Sequence, residues 1–339
     1  MTQRIAIVGD GQMGLVLARI LADSGCAVGL WGPFPEHVSR LQRERHSPVH
    51  LPEMSLSESV EVSDDAAVVL GGSSMVISAI PTQYLRAVWS RIGSSLQAHA
   101  CIASVSKGIE EESLKAPIEV IAEACHAAGG VVGPMVCVSG PTIAAELAQQ
   151  KPATLVAASE SEEAATRVQQ LLSTSFLRVY THDDVIGVEV AGATKNVIAL
   201  AAGMIDGLQL GYNAKSALLA RGLAEITRLG VAMGARAETF FGVAGVGDLA
   251  TTCFCPMGRN RTCGERLGKG ESLEHILAST PSVVEGVPTT RSVHALAKRD
   301  NIEMPITRAV HGILFENWTP SRAIASLMER ELKAERVGE

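Results

Sequence analysis

The first half of the chain alternates short apolar runs with amphipathic stretches. Each run is four or five residues long and rich in aliphatic side chains, which is typical of strands buried in a parallel sheet. The predicted strands are residues 4–8, 27–31, 75–79, 101–104, 135–138, 154–157 and 177–180. Helices are predicted to begin near Gln12, Glu36, Tyr84, Ser113, Ile143 and Glu160. This alternation predicts an α/β fold: a doubly wound, mostly parallel sheet with helices on both faces.

The pattern changes near residue 184, after which few strand-like runs remain. Residues 184–208 and 213–233 are predicted to be long helices, and shorter helices marked by Pro and Gly follow them. We therefore predict two domains, a Rossmann-type domain over residues 1–185 and an all-helical domain over residues 186–335. The helical second domain also suggests a homodimer.

Composition narrows the class of partner. The chain has 339 residues, of which 47% are hydrophobic, and a net charge of −7, which argues against nucleic acid or an anionic membrane. Its seven cysteines are odd in number, which favours reduced thiols in the cytoplasm over a disulfide framework. Residues 66–85 carry no charge, but Gly-Gly-Ser-Ser and Pro81 interrupt them, so no membrane insertion is predicted.

A glycine-rich loop joins the first strand to the first helix. Gly9, Gly11 and Gly14 fit the Gly-x-Gly-x-x-Gly pattern of dinucleotide-binding proteins. Gly9 permits the tight turn, Gly11 lets a pyrophosphate approach the backbone, and Gly14 allows close packing of helix and strand. An NAD site usually carries an acid at the end of the second strand, but Gly32 and Pro33 stand there. The missing acid removes a repulsion against NADP, and no Arg stands there to hold its 2′-phosphate. We therefore expect NADP(H), with NAD(H) or the use of both as the alternatives.

Lys195 lies midway along the first predicted helix of the second half. Small residues, Ala191, Gly192, Ala199 and Ala202, share its helical face and leave a groove beside it. An ammonium group in an apolar helix loses solvation, so its pKa falls and it can exchange a proton near neutral pH. A lysine that extends to the surface is the alternative.

Lys107 and Asp248 are two further candidates. Lys107 follows a predicted strand, and loops at the carboxyl ends of parallel strands face the ligand crevice. It is either a contact for a substrate oxygen or phosphate, or a solvated loop lysine. Asp248 enters a helix through a glycine-rich turn, and it either caps that helix or orients Lys195 or a substrate hydroxyl.

Two other segments have the chemistry of ligand contacts. Gly140 and Thr142 follow a predicted strand, and the Thr142 hydroxyl either caps the next helix or contacts a ligand. Arg259 and Asn260 combine a guanidinium with an amide, which suits a phosphate, although a solvated basic turn is the alternative. The neighbouring cysteines match no common zinc spacing, so no metal site is predicted.

Taken together, these segments resemble the soluble, bacterial-type NAD(P)-dependent glycerol-3-phosphate dehydrogenases. The resemblance extends from residue 5 to about residue 330 and rests on the order and spacing of its motifs. The motifs are residues 9–14, 30–32, 106–108, 139–142 with Glu146, 190–199, 213–215, 221–225, 247–249, 259–261, 284–286 and 304–306.

The resemblance implies reversible reduction of dihydroxyacetone phosphate to sn-glycerol 3-phosphate, with a role in glycerophospholipid biosynthesis. It implies that Lys195 is the general acid and base, that Lys107 contacts substrate and cofactor, and that Asp248 orients Lys195 or the substrate. The implied cofactor contacts are Gly9, Gly11, Gln12, Met13, Gly14, Pro33, Lys107, Ala144, Arg259, Val283 and Glu285. The implied substrate contacts are Lys107, Gly140, Thr142, Lys195, Asp248, Thr252, Gly258, Arg259 and Asn260.

Five positions depart from the family's pattern. Gln12 and Met13 replace a small or polar residue and an aromatic one, Pro33 a basic or polar residue, Ala145 a lysine, and Gly258 a frequent serine. These departures leave the choice between NAD and NADP open. They also leave room for a diverged dehydrogenase of another small phosphorylated ketone or a hydroxy acid. A non-catalytic dinucleotide sensor is the remaining alternative, and the intact lysine and aspartate candidates argue against it.

Overall fold

The computed structural model describes residues 4–280, 282–332 and 334. The chain forms two compact units: the first runs to Ser106 and resumes over Pro117–Val185, and the second comprises Lys107–Ala116 and the chain from Ile186 onward. The prediction placed all of residues 1–185 in the first domain, whereas in the structure Lys107–Ala116 belongs to the second unit. This segment groups with the second unit because Ile109 and Leu114 pack into that unit's hydrophobic core.

The first unit contains one eight-stranded sheet. Its strands are β1 Arg4–Val8, β2 Ala27–Trp31, β3 Glu61–Ser63, β4 Met75–Ser78, β5 Cys101–Ser104, β6 Met135–Ser139, β7 Ala153–Ala158 and β8 Leu177–His182. They lie in the order β3-β2-β1-β4-β5-β6-β7-β8, and every neighbouring pair is parallel except β6 and β7. The predicted doubly wound, mostly parallel sheet is confirmed. The pattern missed β3, whose three residues are too few to show a periodicity.

Alternate residues of β1 enter different cores, which explains its continuous apolar sequence. Ile5 and Ile7 belong to one buried cluster, whereas Ala6 and Val8 belong to another. Successive side chains of a strand point to opposite faces, so both faces of the sheet are covered. The helices of this unit are α1 Gln12–Asp23, α2 Pro35–Glu44, α3 Ala66–Leu70, α4 Leu85–Ile92, α5 Pro117–Ala127, α6 Ala144–Ala148 and α7 Glu162–Leu172.

Helices are the regular elements of the second unit, and none of its described residues lies in a strand. Its helices are α8 Val185–Gly207, α9 Gly211–Ala232, α10 Asp248–Phe254, α11 Arg259–Gly268, α12 Leu273–Ala278, α13 Gly286–Arg299, α14 Pro305–Phe315 and α15 Pro320–Met328. The helix predicted to begin near Ser113 begins instead at Pro117. Proline favours the first turn of a helix, where its missing N–H costs nothing.

Helix α8 is the central helix of the second unit's core. By length and composition it is the single described helix able to cross a membrane, with a mean hydropathy of 1.5 over its most apolar window. However, 83% of that window is buried inside the protein, as expected of the core helix of a globular domain. The uncharged residues 66–85 form α3, β4 and a 3₁₀ turn at Thr82–Tyr84.

Candidate active site

The glycine loop of the first unit leaves space for a ligand at one position only. Gly9 has φ +116°, and a Cβ there would lie 2.7 Å from the carbonyl oxygen of Ala79. A Cβ on Gly14 would lie 1.8 Å from the carbonyl oxygen of Gly9. At Gly11, which precedes the first turn of α1, a Cβ would meet nothing within 4 Å. This cradle fits a dinucleotide: two glycines close the turn, and the third opens the helix N-terminus to a pyrophosphate.

Four other predicted residues of the first unit lie near the carboxyl ends of parallel strands. Pro33 follows β2, Gly140 and Thr142 follow β6, and Ala144 is the first residue of α6. Gly140 has φ +139°, and a Cβ there would lie 2.7 Å from the carbonyl oxygen of Thr154. The Thr142 hydroxyl donates to the Gly140 carbonyl at 3.2 Å, and the residue at the N-cap of α6 is Ile143. The interpretation of Thr142 as a helix cap is therefore wrong.

Substitutions at Gly11 and Gly14 should separate ligand binding from folding. We expect Gly11→Ala to weaken NADH binding at least about tenfold with little change in Tm, since an added methyl meets no protein atom but enters the pyrophosphate space. Gly14→Ala is the control, and it should lower stability by about 1–3 kcal/mol, because its methyl meets the Gly9 carbonyl. Fluorescence titration and thermal unfolding measure the two effects. Unchanged NADH affinity in Gly11→Ala would contradict this function of the loop.

Three charged side chains meet in the second unit. Lys195 Nζ donates to Asp248 Oδ1 at 2.5 Å and to Thr252 Oγ1 at 2.7 Å. Lys107 Nζ donates to the other carboxylate oxygen, Asp248 Oδ2, at 2.7 Å. The Thr252 hydroxyl donates to the Asp248 carbonyl at 2.7 Å, so its oxygen lone pairs are directed to Lys195. Two ammonium groups share one carboxylate, and the cluster therefore carries a net positive charge that would stabilise a developing oxyanion.

Local structure sets the position of Asp248. A π-helical turn, Val243–Gly247, leads into α10 and is closely packed, since a Cβ on Gly245 would lie 2.1 Å from the Phe240 carbonyl oxygen. Turns of this kind often occur at functional sites. The N-cap of α10 is Gly247, and both carboxylate oxygens of Asp248 bind lysines. Asp248 is thus not the cap of its helix, and the alternative that it holds Lys195 is the one observed.

Burial and charge tune the two central groups in opposite directions. Burial lowers the pKa of Lys195 to about 8, and the charge of Lys107 adds to this effect, while Asp248 opposes it. Burial alone would raise the pKa of Asp248, but the charges and hydrogen bonds of Lys107 and Lys195 outweigh it and hold that pKa below its usual value. Asp248 therefore stays ionised, and Lys195 has a pKa suited to proton transfer near neutral pH.

The sequence interpretation missed Asn196, which connects the parts of this site. Its Nδ2 donates to the Lys107 carbonyl at 3.1 Å, and its Oδ1 accepts from Asn260 Nδ2 at 2.8 Å. Asn260 Oδ1 accepts in turn from the Gly286 N–H at 2.9 Å. The network joins α8, α11 and α13, and it leaves the second hydrogen of Asn260 Nδ2 for a ligand. An amide next to Lys195 in a mostly apolar helix was the available signal.

The ligand contacts predicted at Gly258, Arg259 and Glu285 lie at the N-termini of α11 and α13, two of the helices that this network joins. Gly258 is the N-cap of α11, whose first residue is the exposed Arg259. Arg259 Nη1 donates to the Val283 carbonyl at 3.2 Å, and Glu285 is the N-cap of α13. The structure thus brings Arg259 and Val283 together. Among the described residues, no group of three or more His, Cys, Asp or Glu side chains is arranged to hold a metal ion.

Comparison with known proteins identifies the family. The profile described as NAD-dependent glycerol-3-phosphate dehydrogenase N-terminus matches residues 4–165, and the corresponding C-terminus profile matches residues 184–325. A glycerol-3-phosphate dehydrogenase [NAD(P)+] of Salinibacter ruber is 44% identical, with 99% of this chain and 97% of that protein covered. A protein of the same name from Syntrophotalea carbinolica is also 44% identical, with 98% of this chain and 99% of that protein covered.

A solved structure agrees with these relatives. The crystal structure of glycerol-3-phosphate dehydrogenase from Coxiella burnetii superimposes with a TM-score of 0.92 at 37% identity, with 97% of this chain and 99% of that chain covered. Both halves of the sequence, the whole-length relatives and the fold point to the same group. The chain belongs to the NAD-dependent glycerol-3-phosphate dehydrogenase family.

Proposed function

We propose that the chain catalyses the reversible, NAD(P)H-dependent reduction of dihydroxyacetone phosphate to sn-glycerol 3-phosphate. The observation that carries this proposal is the cluster of buried Lys195 and Asp248 with partly buried Lys107, in a chain that has a dinucleotide cradle at Gly9–Gly14. The relatives are named for glycerol 3-phosphate, the product of this reduction, and for NAD(P)+. The protein is an oxidoreductase that acts on a small phosphorylated substrate.

Lys195 is the proton donor for reduction in this proposal. When bound, the reduced nicotinamide supplies the hydride that the carbonyl carbon of the substrate accepts. The ammonium of Lys195 transfers one proton from Nζ to the carbonyl oxygen, which becomes the C2 hydroxyl, and in oxidation the neutral amine takes that proton back. Asp248 and Thr252 hold Nζ in position. The lysine side chain therefore does not have to reorient before it transfers the proton.

Substrate binding falls to the neighbouring groups. We assign the phosphate to Arg259 and to the Asn260 amide, with Gly258, Gly140 and Thr142 as further substrate contacts. The ammonium group of Lys107 contacts a substrate oxygen and the coenzyme in this proposal. The remaining coenzyme contacts in this proposal are Gly9, Gly11, Gln12, Met13, Gly14, Pro33, Ala144, Val283 and Glu285. In this proposal the Rossmann-type unit supplies most of the coenzyme contacts, and the helical unit supplies the proton donor Lys195 and the phosphate contacts.

The two alternatives have less support. A dehydrogenase of another phosphorylated ketone or of a hydroxy acid would not account for relatives that match over the whole chain and share one name. A non-catalytic sensor would have no use for a lysine whose pKa is near 8 and whose ammonium is held by an ionised carboxylate. We also propose that the enzyme is a cytoplasmic homodimer, and light scattering of the purified protein tests its oligomeric state.

Turnover with the purified protein tests the proposal. Dihydroxyacetone phosphate is supplied with NADPH or NADH in parallel, and coenzyme oxidation is followed by absorbance at saturating ketone. We expect turnover with at least one coenzyme and none when the ketone is omitted. Robust coenzyme binding without turnover would overturn the proposal and favour a different ketone or a sensor.

Replacement of Arg259 tests the phosphate assignment. We expect Arg259→Ala to raise KM for dihydroxyacetone phosphate by about 10- to 100-fold, because an arginine–phosphate hydrogen bond is among the stronger polar contacts. The kcat/KM for unphosphorylated dihydroxyacetone should change little. Arg266→Ala is a matched control on the same helix, since Arg266 pairs with Glu271 and lies outside the network. Equal losses for both ketones would contradict the assignment.

A further inference from the structure

An acidic group lies at the end of β2 although the sequence there contains none. In dinucleotide-binding folds, an Asp or Glu about 20 residues beyond the glycine loop accepts the ribose 2′-hydroxyl of NAD. Here Gly32 and Pro33 occupy that place, immediately after β2. A Cβ on Gly32 would lie 2.2 Å from Asp10 Oδ2 and 2.7 Å from Asp10 Cγ. The carboxylate of Asp10 therefore fills the space where the side chain of residue 32 would stand.

Asp10 belongs to the glycine loop itself, between Gly9 and Gly11. Its side chain is only 9% exposed, and Oδ2 lies 2.7 Å from His37 Nδ1. Within the part of the chain that the structure describes, no donor is bonded to the second oxygen, Oδ1. The side chain is largely buried, but Oδ1 is not cut off from solvent, so water or a ligand can supply the missing donor. The carboxylate thus has one oxygen held by the protein and one available to a hydroxyl group.

Helix α2 and the segment after it hold His37 in place. His37 Nε2 lies 3.2 Å from Ser47 Oγ, and the same Oγ accepts from the His50 backbone N–H at 3.0 Å. Both ring nitrogens of His37 are therefore engaged, and the ring orientation is fixed. The carboxylate of Asp10 is consequently held at one position next to the glycine cradle.

We propose that Asp10 is the specificity-determining residue for the coenzyme, accepting the ribose 2′-hydroxyl through Oδ1 and disfavouring the 2′-phosphate of NADP(H). It takes the function of the absent acid after β2, supplied from the glycine loop. The inference rests on the proposed function, in that it assumes that the cradle binds a nicotinamide dinucleotide. It makes NAD(H) the preferred coenzyme, because a phosphate dianion beside a buried carboxylate is repelled.

Coenzyme binding without substrate tests the proposal. NADH and NADPH are titrated separately by fluorescence or calorimetry, and the reported quantity is the ratio of their dissociation constants. The wild-type protein should bind NADH at least about tenfold more tightly, and Asp10→Ala should shift the ratio toward NADPH by about tenfold or more. Asp10→Asn removes the charge but retains an acceptor, so it should strengthen NADPH binding and leave NADH binding nearly unchanged.

Two controls separate recognition from a loop-bracing function. His37→Gln removes the imidazole that is hydrogen-bonded to Oδ2 but retains the carboxylate, so the ratio should stay in favour of NADH. Asp23→Asn, at an exposed pair with Arg19 on α1, should change neither affinity. If both Asp10 variants weaken the two coenzymes equally, or if wild-type protein shows no preference for NADH, the inference is overturned. If wild-type protein binds neither coenzyme, the proposed function itself fails.

Discussion

Replacing Lys195 by alanine should lower kcat at least about 10²-fold and leave NADH affinity nearly unchanged, because general acid catalysis of this kind contributes about 10²–10⁴-fold. The side chain is buried, and its ammonium contacts Asp248 and Thr252. Its removal takes away the proton donor for the alkoxide but no group of the glycine cradle. Steady-state kinetics and NADH titration measure the two parts of the prediction.

Lys215→Met is the matched control for that experiment. Lys215 is also a buried lysine of the second unit, and it pairs with Asp206 at 2.7 Å. We expect its loss to lower stability and to leave kcat within a few-fold of the wild-type value. A near-wild-type kcat in Lys195→Ala would rule out Lys195 as the proton donor.

The pH dependence of the rate should identify the same group. Reduction needs the protonated lysine, so kcat for reduction should be constant at lower pH and fall as the pH rises through about 8. Oxidation needs the neutral amine, so its kcat should rise over the same range. Because the charge of Lys107 depresses the pKa of Lys195, Lys107→Met should move both midpoints to higher pH. Midpoints that do not move would show that another group titrates.

Replacing Asp248 by asparagine should reduce both stability and activity. Asp248 is 1% exposed and compensates the ammonium groups of buried Lys195 and partly buried Lys107. Breaking a buried ion pair by removing one partner costs about 3–5 kcal/mol, because the remaining charge is left without compensation. We expect a loss of stability in this range by urea unfolding, together with a fall in kcat of at least about 10²-fold as Nζ of Lys195 loses its orientation.

A second substitution distinguishes uncompensated charge from a packing defect as the reason for the lost stability. The double variant Lys107→Met with Asp248→Asn removes one of the unpaired charges, so it should be more stable than Asp248→Asn alone. Asp206→Asn is the comparison at a more exposed cluster, since the side chain of Asp206 is 22% exposed, and it should cost less. If the double variant is the least stable of the three, uncompensated charge is not the reason for the loss.

The sequence by itself determined the structural features that depend on residues close together in the chain, such as strands and tight turns. The predicted strands of the first unit are present, because buried parallel strands need continuous apolar runs, as Ile5 to Val8 show on both faces of the sheet. The glycine pattern 9–14 predicted a tight turn that no larger residue could make at Gly9 or Gly14. Order and spacing of motifs were also enough to predict the family.

Contacts between distant residues were decided only by the tertiary structure. Lys107 and Asp248 are 141 positions apart, and their ion pair depends on residues 107–116 packing with the second unit. The bridging function of Asn196 and the place of Asp10 at the end of β2 likewise appear only when separate segments meet. A pattern along the chain records periodicity and turn chemistry. Which buried charge faces which partner follows from how whole elements pack, and burial and pairing then set the pKa values on which the proposed chemistry depends.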